Sequence, residues 1–324
     1  MHVGLFFALP AATAAALEFG EMTTTPCGVR PAACVREAPA GSEVRFAAEA
    51  DGGDFVVLHA DGREERVDVP KVCHAFAATS PIRPAQNGAA SATLAPRAIG
   101  DGWIESAGVY QMDPSQLIES FTARFTVPPA PTAPQRPETL YYFIGLEDRT
   151  QGKLTTIHQP VLTWGDQTEG GLYNDSWHLW SWTCCPKNLT WHSPDIAGFA
   201  PGDTIYGSIA KVGADTWRID SAWQDAAAGD AANGGSGAWH NTTLTSQVGG
   251  YNYNYADVTL EVYNLTSCEQ MSTGSVAFTD LVLRTSGGTR WTPSTWYPSG
   301  FASPCEISLK IESPTAMTIT VGSK

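Results

Sequence analysis

The chain has 324 residues and a formal net charge of −14, with seven cysteines, 31 glycines and 22 prolines. This acidic balance argues against a nucleic-acid partner, whose phosphates demand a basic surface. No apolar run after the amino terminus approaches the ~18 residues needed to span a bilayer, so no membrane partner is expected.

Residues 1–16 read as a secretory signal: the apolar run V-G-L-F-F-A-L-P precedes the small residues A-A-T-A-A-A, with cleavage expected between Ala14 and Leu17. A secreted, extracellular chain follows from that reading, and seven cysteines suit an oxidising compartment. No cysteine pair has zinc-site spacing, so no metal and no cofactor is expected. Cys27, Cys34 and Cys73 read as a local amino-terminal set, and the adjacent Cys184 and Cys185 as having separate partners, one of them Cys268. The odd count leaves a thiol over. Asn174, Asn188, Asn241 and Asn264 each open an N-glycosylation triplet.

Residues 17–98 form an amino-terminal segment, a small β module or a pro-segment. Within it E-V-R-F-A-A-E-A, D-F-V-V-L-H-A and E-E-R-V-D-V-P-K-V read as short strands joined by Asp-Gly turns, and the Pro/Ala/Ser-rich stretch from Thr79 to Pro96 as a linker. Residues 99–285 are β-patterned throughout, with Gly, Pro, Asn and Asp breaks between strands and no helix-period stripe, which means a sandwich or barrel. The polar insertion from Asp225 to Gly237 reads as a loop between strands, and residues 286–324 as an extension that adds edge strands.

Tyr141 to Trp164 is the organising stretch, two strand-like runs around a Gly-containing turn that predict a β-hairpin. Alternation places Thr155, Ile157 and Gln159 on one face and Thr156 and His158 on the other. Gln159 is either an exposed strand residue or a hydrogen-bond clamp for a carbonyl. In A-D-V-T-L-E-V-Y, Asp257, Thr259 and Glu261 share a face opposite Val258, Leu260 and Val262, an acid/base device or a solvated outer face. Trp177, Trp180 and Trp182 can be core, substrate wall or sugar platform, and alternation separates Trp177 from the other two.

Several segments, in chain order, resemble the glutamic peptidases of the eqolisin family. G-W-I-E-S-A-G-V-Y with F-T-A-R-F-T-V-P resembles that family's opening; Y-Y-F-I-G-L-E-D, T-I-H-Q-P-V-L-T-W, D-S-W-H-L-W, P-G-D-T-I and A-D-V-T-L-E resemble its later strands. The resemblance covers Gly102 to Leu283. It implies an all-β, concanavalin A-like jelly-roll β-sandwich, a catalytic glutamine at Gln159 and a catalytic glutamate at Glu261. Asp257 stands at the family's first glutamate, beside the substrate with Trp177 and Trp180. The implied function is a secreted acid endopeptidase, a monomer acting on polypeptides without metal. Pro160 follows the glutamine, and Val258 replaces the family's tryptophan. The alternatives are a carbohydrate-binding, lectin-like protein on the same fold, or a glycoside hydrolase drawing a second carboxylate from Glu119, Glu147 or Glu169.

Overall fold

In the computed structural model, the β-branched and aromatic runs pair as strands of two stacked sheets. The described residues are 19–47, 54–79, 101–134, 137–150, 156–165, 175–224, 239–300 and 305–322. The expected signal, the linker after Thr79, Thr155, Glu169, Asn174 and the 225–237 insertion therefore lie outside the described residues.

The amino-terminal part carries β1 (Met22–Thr25), β2 (Gly28–Pro31), β3 (Val35–Glu37), β4 (Glu43–Phe46), β5 (Phe55–Leu58), β6 (Glu64–Val67) and α1 (Lys71–Thr79). The middle carries β7 (Gly102–Tyr110), β8 (Ile118–Thr126), β9 (Thr139–Asp148), β10 (Thr156–Gly165), β11 (Trp177–Cys184), β12 (Thr190–His192) and β13 (Ile196–Ala197). It continues through β14 (Thr204–Lys211), β15 (Thr216–Gln224), β16 (Trp239–Gln247), β17 (Tyr255–Tyr263) and β18 (Gly274–Thr285). The carboxyl-terminal part adds β19 (Thr289–Trp291), β20 (Tyr297–Gly300), β21 (Ile307–Ser313) and β22 (Ala316–Val321).

One sheet runs β20-β7-β17-β9-β10-β11-β12-β3, with β13 on β11; the other runs β21-β22-β18-β8-β14-β15-β16-β4-β5-β6, with β19 on β18. The fold is an all-β sandwich, as the sequence pattern predicts. Its core fills from alternate residues of facing strands: Tyr142, Ile144 and Leu146 of β9 and Val258, Leu260 and Val262 of β17 join Phe121, Phe125, Ile205 and Phe278 of the second sheet. Each such side chain, fully buried, contributes roughly 1.5–3 kcal/mol.

The amino-terminal segment is stitched into both sheets. β3 pairs parallel with β12 on the first, and β4 pairs parallel with β16 on the second. The predicted strands of this segment appear as the antiparallel run β4-β5-β6. Its end, read as strand, is instead the helix α1, opening directly after Pro70, which cannot continue a central strand but suits a helix start. Cys73 on this helix bonds Cys34, a pair within the local amino-terminal set. The carboxyl-terminal strands extend both sheets at their other edges, β20 beside β7 and β21-β22 beside β18.

A proline lacks the N–H of a ladder and favours a sheet edge or a bulge, but Pro160 marks neither: the β9–β10 register is the same on both sides of it. It lies mid-strand, opposite Ser181 of β11, while β9 pairs with β10 on either side of Gln159 and Pro160 but not at those two residues. The ring points into the sandwich against Gly207, where a Cβ would stand 2.7 Å from Pro160 Cγ. A glycine across the core is what lets the second sheet approach this proline.

Candidate functional site

The face of the first sheet turned away from the sandwich core carries a second buried cluster that includes Trp103, Tyr141, Phe143, Ile157, Val161, Trp180, Trp182 and Tyr263. Strand alternation puts Asp257, Thr259 and Glu261 of β17, Gly145 and Glu147 of β9, and Gln159 of β10 on this same face. His158 points the other way, into the core, hydrogen-bonded to Thr183 and stacked on Tyr253 with ring centroids 4.6 Å apart. Burial pushes its imidazole down to about 3, so it is neutral.

Gln159 and Glu261 share the face but are not directly across from each other. β10 meets β9 with His158 opposite Leu146 and Val161 opposite Phe143, which carries Gln159 to the level of Gly145. β17 in turn places Asp257 opposite Gly145 and Glu261 opposite Tyr141. The lateral neighbour of Gln159 is therefore Asp257, and Glu261 lies four residues on, about 13 Å of strand. Between the two laterally placed groups stands a residue without a side chain. A Cβ on Gly145 would sit 2.3 Å from Asp257 Oδ2, so the glycine leaves the space that the carboxyl occupies.

Both acids are buried and hold protons tightly. Burial pushes Glu261 up to about 8, opposed by hydrogen bonds from Tyr263 and Trp103 and by the nearby Arg30 guanidinium. Asp257 lies well above the ordinary carboxylate range, first through burial and then through the charge of Glu147 beside it. The Thr259 hydroxyl donates to Asp257 Oδ1 at 2.6 Å. Glu147 accepts from Arg149, with Nη2 3.0 Å from Oε1, and the Arg149 guanidinium covers the Tyr255 ring at 3.8 Å.

Around Gln159 the face is covered by a hairpin of the amino-terminal segment. β1 and β2 form an antiparallel hairpin outside both sheets, and its turn reaches Gln159. Gln159 Nε2 donates to the main-chain oxygen of Pro26 at 3.2 Å. The next residue, Cys27, is joined by a disulfide to Cys184 of β11, whose Sγ lies 3.7 Å from Gln159 Oε1. Arg30 donates back to the Cys27 carbonyl at 2.9 Å and contributes the positive charge felt by Glu261. Gln159 is fully buried, and Glu261 is only 2% exposed.

The sequence-predicted residues separate accordingly. Gln159, Asp257, Glu261 and Trp180 come together on one face. Trp177, expected beside the substrate, instead fills the sandwich core against Trp164 and Tyr142, because odd and even positions of β11 face opposite layers. Glu119 lies on the second sheet, where Lys211 Nζ is 3.6 Å away, and is not on this face; Glu147 is, but adjoins Asp257 rather than facing it across a gap. Cys268 pairs with Cys305, not with Cys184 or Cys185, and Cys27 leaves the local set to cross 157 positions. Cys185 is the free thiol among the described residues and is buried. Arg30, Pro26 and Cys27 are site residues that the sequence reading missed; the contiguous T-P-C-G turn was the available signal. Asn241 and Asn264 are exposed, Asn188 is half-buried against His74, and no helix among the described residues is long and apolar enough to cross a membrane.

No protein-family model matches the chain, and no curated protein matches it. Among solved structures it is similar to scytalido-glutamic peptidase bound to a peptide-based transition-state analogue, at 14% identity over 68% of this chain and 100% of that one, with a TM-score of 0.46. It is also similar to SCP-B, a member of the eqolisin family of peptidases in complex with the tripeptide Ala-Ile-His, at 14% identity over the same shares and a TM-score of 0.45. Likenesses this distant leave activity to be argued from the chain's own residues.

Proposed function

We propose that this chain is a secreted glutamic-type endopeptidase, present here in a closed form. The observation that carries the reading is the Gln159 amide gripping a peptide carbonyl, that of Pro26, on a face that also holds two protonated carboxyls. A side chain that donates to a ground-state peptide oxygen is placed to donate to the oxyanion formed when that carbonyl is attacked. Glu261, the base the resemblance implies, takes a proton from the attacking water and returns it to the departing amine only if opening re-registers the strands, because it stands about 13 Å of strand from the level of Gln159. The hairpin itself occupies the position of a substrate, so hydrolysis of other chains requires its displacement.

A second reading of the base is favoured by register. Asp257, across the bare Gly145 from Gln159, is the carboxyl at the same level of the sheet. In that arrangement Glu261 binds substrate, with Tyr263 and Trp103 orienting it.

The test is hydrolysis of a denatured protein at acid pH by the Cys27→Ser chain, whose hairpin has lost its covalent tie. Cleavage that Gln159→Ala and Glu261→Gln each abolish supports the first reading. Loss with Asp257→Asn but not with Glu261→Gln selects the second. A Cys27→Ser chain that cleaves no peptide at any acidic pH, with its fold intact by circular dichroism, overturns both.

A further inference from the structure

Three sulfurs meet beside Gln159. The Sγ atoms of Cys27, Cys184 and Cys185 all lie within 4.8 Å of one another, and all three residues are buried. Two of them form the bond that ties the hairpin down, and the third is a free thiol, held 3.2 Å from Thr190 Oγ1. We infer that Cys185 is a resolving thiol that discharges the Cys27–Cys184 bond and so unlatches the hairpin from the site, a regulation that rests on the peptidase reading of that site.

The step needs no outside reagent. Cys185, as thiolate, attacks Cys184 Sγ; the Cys184–Cys185 bond forms and the Cys27–Cys184 bond breaks. The electron pair leaves on Cys27, which takes up the proton that Cys185 gave up, so nothing is oxidised or reduced overall. Direction of attack decides the outcome. Attack on Cys27 instead would leave the hairpin tied, now through Cys185, whereas attack on Cys184 frees it. Once Cys27 is released, the Pro26 carbonyl is held to Gln159 by a hydrogen bond alone. A single such bond is worth only about 1 kcal/mol net, so the turn can leave the amide. β3 and Cys34, anchored to β12 and Cys73, stay in place, so the moving part is the hairpin of residues 22–31.

The experiment traps the released thiol. The full chain is held without reductant at about pH 8, where an ordinary thiol is partly ionised, in iodoacetamide, then digested and mapped by mass spectrometry. The expected result is alkylated Cys27 together with a peptide in which Cys184 and Cys185 are bonded to each other, and labelling of Cys27 that falls at least about tenfold in Cys185→Ser. Alkylation of Cys185 alone with the Cys27–Cys184 peptide intact overturns the inference, as does equal labelling of Cys27 in Cys185→Ser. If that variant fails to fold, the wild-type map decides alone, because only the proposed exchange yields a Cys184–Cys185 bond with a free Cys27. The Cys27-alkylated chain is then assayed for peptide hydrolysis; failure there removes the peptidase reading and leaves the exchange standing.

Discussion

The side-chain amide of Gln159 and the main-chain oxygen of Pro26 form a hydrogen bond of 3.2 Å between residues 133 positions apart. It is the direct contact between the candidate catalytic amide and the chain's own hairpin. Gln159→Glu replaces the donor with an acceptor facing a carbonyl. The expected outcome is a loss of about 1–3 kcal/mol in urea denaturation, from the unsatisfied buried groups. In the Cys27→Ser background hydrolysis should fall by about 10²–10³, the usual cost of removing one oxyanion donor. Full activity in Gln159→Glu would remove the amide from the mechanism.

The buried acids and histidines predict how stability varies with pH. His158, lowered to about 3, and His192, lowered to about 4, are neutral in the fold but take protons when the chain unfolds. Their contribution is complete above 6.5, the ordinary histidine value, and is lost as pH falls from there toward their folded values. Glu261, raised to about 8, and Asp257, raised well above its ordinary 3.8, act in the opposite sense. Each holds a proton in the fold that the unfolded chain releases, so stability is whole below 4.5 for the glutamate and 3.8 for the aspartate and drains as pH climbs. Between 4.5 and 6.5 the two rising contributions of the histidines meet three falling ones, because burial also raises Glu105, to about 7; above 6.5 only the falling ones remain. The thermal midpoint should therefore fall gently across that window and more steeply on its alkaline side, and Glu261→Gln should soften the drop. A midpoint that rises steadily above 6.5 would contradict the burial of both acids.

Gly145 predicts a coupled pair of variants. Its replacement by alanine drives a methyl to within 2.3 Å of Asp257 Oδ2 unless the strand shifts. Overpacking of this kind costs about 1–3 kcal/mol, measured by urea denaturation. Adding Asp257→Ala should recover much of that loss, because the clash is with the carboxyl itself. Purely additive losses would place the obstruction elsewhere.

The Cys27–Cys184 bond closes a loop spanning 157 positions. Cys27→Ser should lower stability by about 2–5 kcal/mol in urea denaturation. It should also raise hydrogen exchange in residues 22–31 while β9, β10 and β17, central in the first sheet, stay protected. Uniform loss of protection would mean that the hairpin is integral to the sandwich.

Much of this site was legible in the residues because strand alternation is a local rule. It assigned Gln159 and Glu261 to their faces, turned His158 away from the amide, and set Val258, Leu260 and Val262 into the core. Trp177 was open to the same rule, and its parity with Trp164 across the β10–β11 ladder puts it inside. What alternation could not supply was longitudinal placement. Whether Asp257 or Glu261 stands level with Gln159 depends on how β17 and β10 each register on β9, a matter of distant pairing. The hairpin was hidden for another reason. M-T-T-T-P-C-G-V-R-P has no apolar alternation, and what buries its turn is distant in sequence: the Gln159 amide, Cys184, and the Phe76 ring, whose centroid lies 5.5 Å from the Arg30 guanidinium.

β3 and β4 are woven into opposite sheets within six residues of each other, and both stand directly behind the hairpin. A single cut in the chain after them therefore sheds nothing: the hairpin and the face it covers travel as one molecule. On the peptidase reading proposed above, the hairpin stays with each copy after opening, so dormancy becomes a setting to be adjusted rather than a wrapper to be discarded.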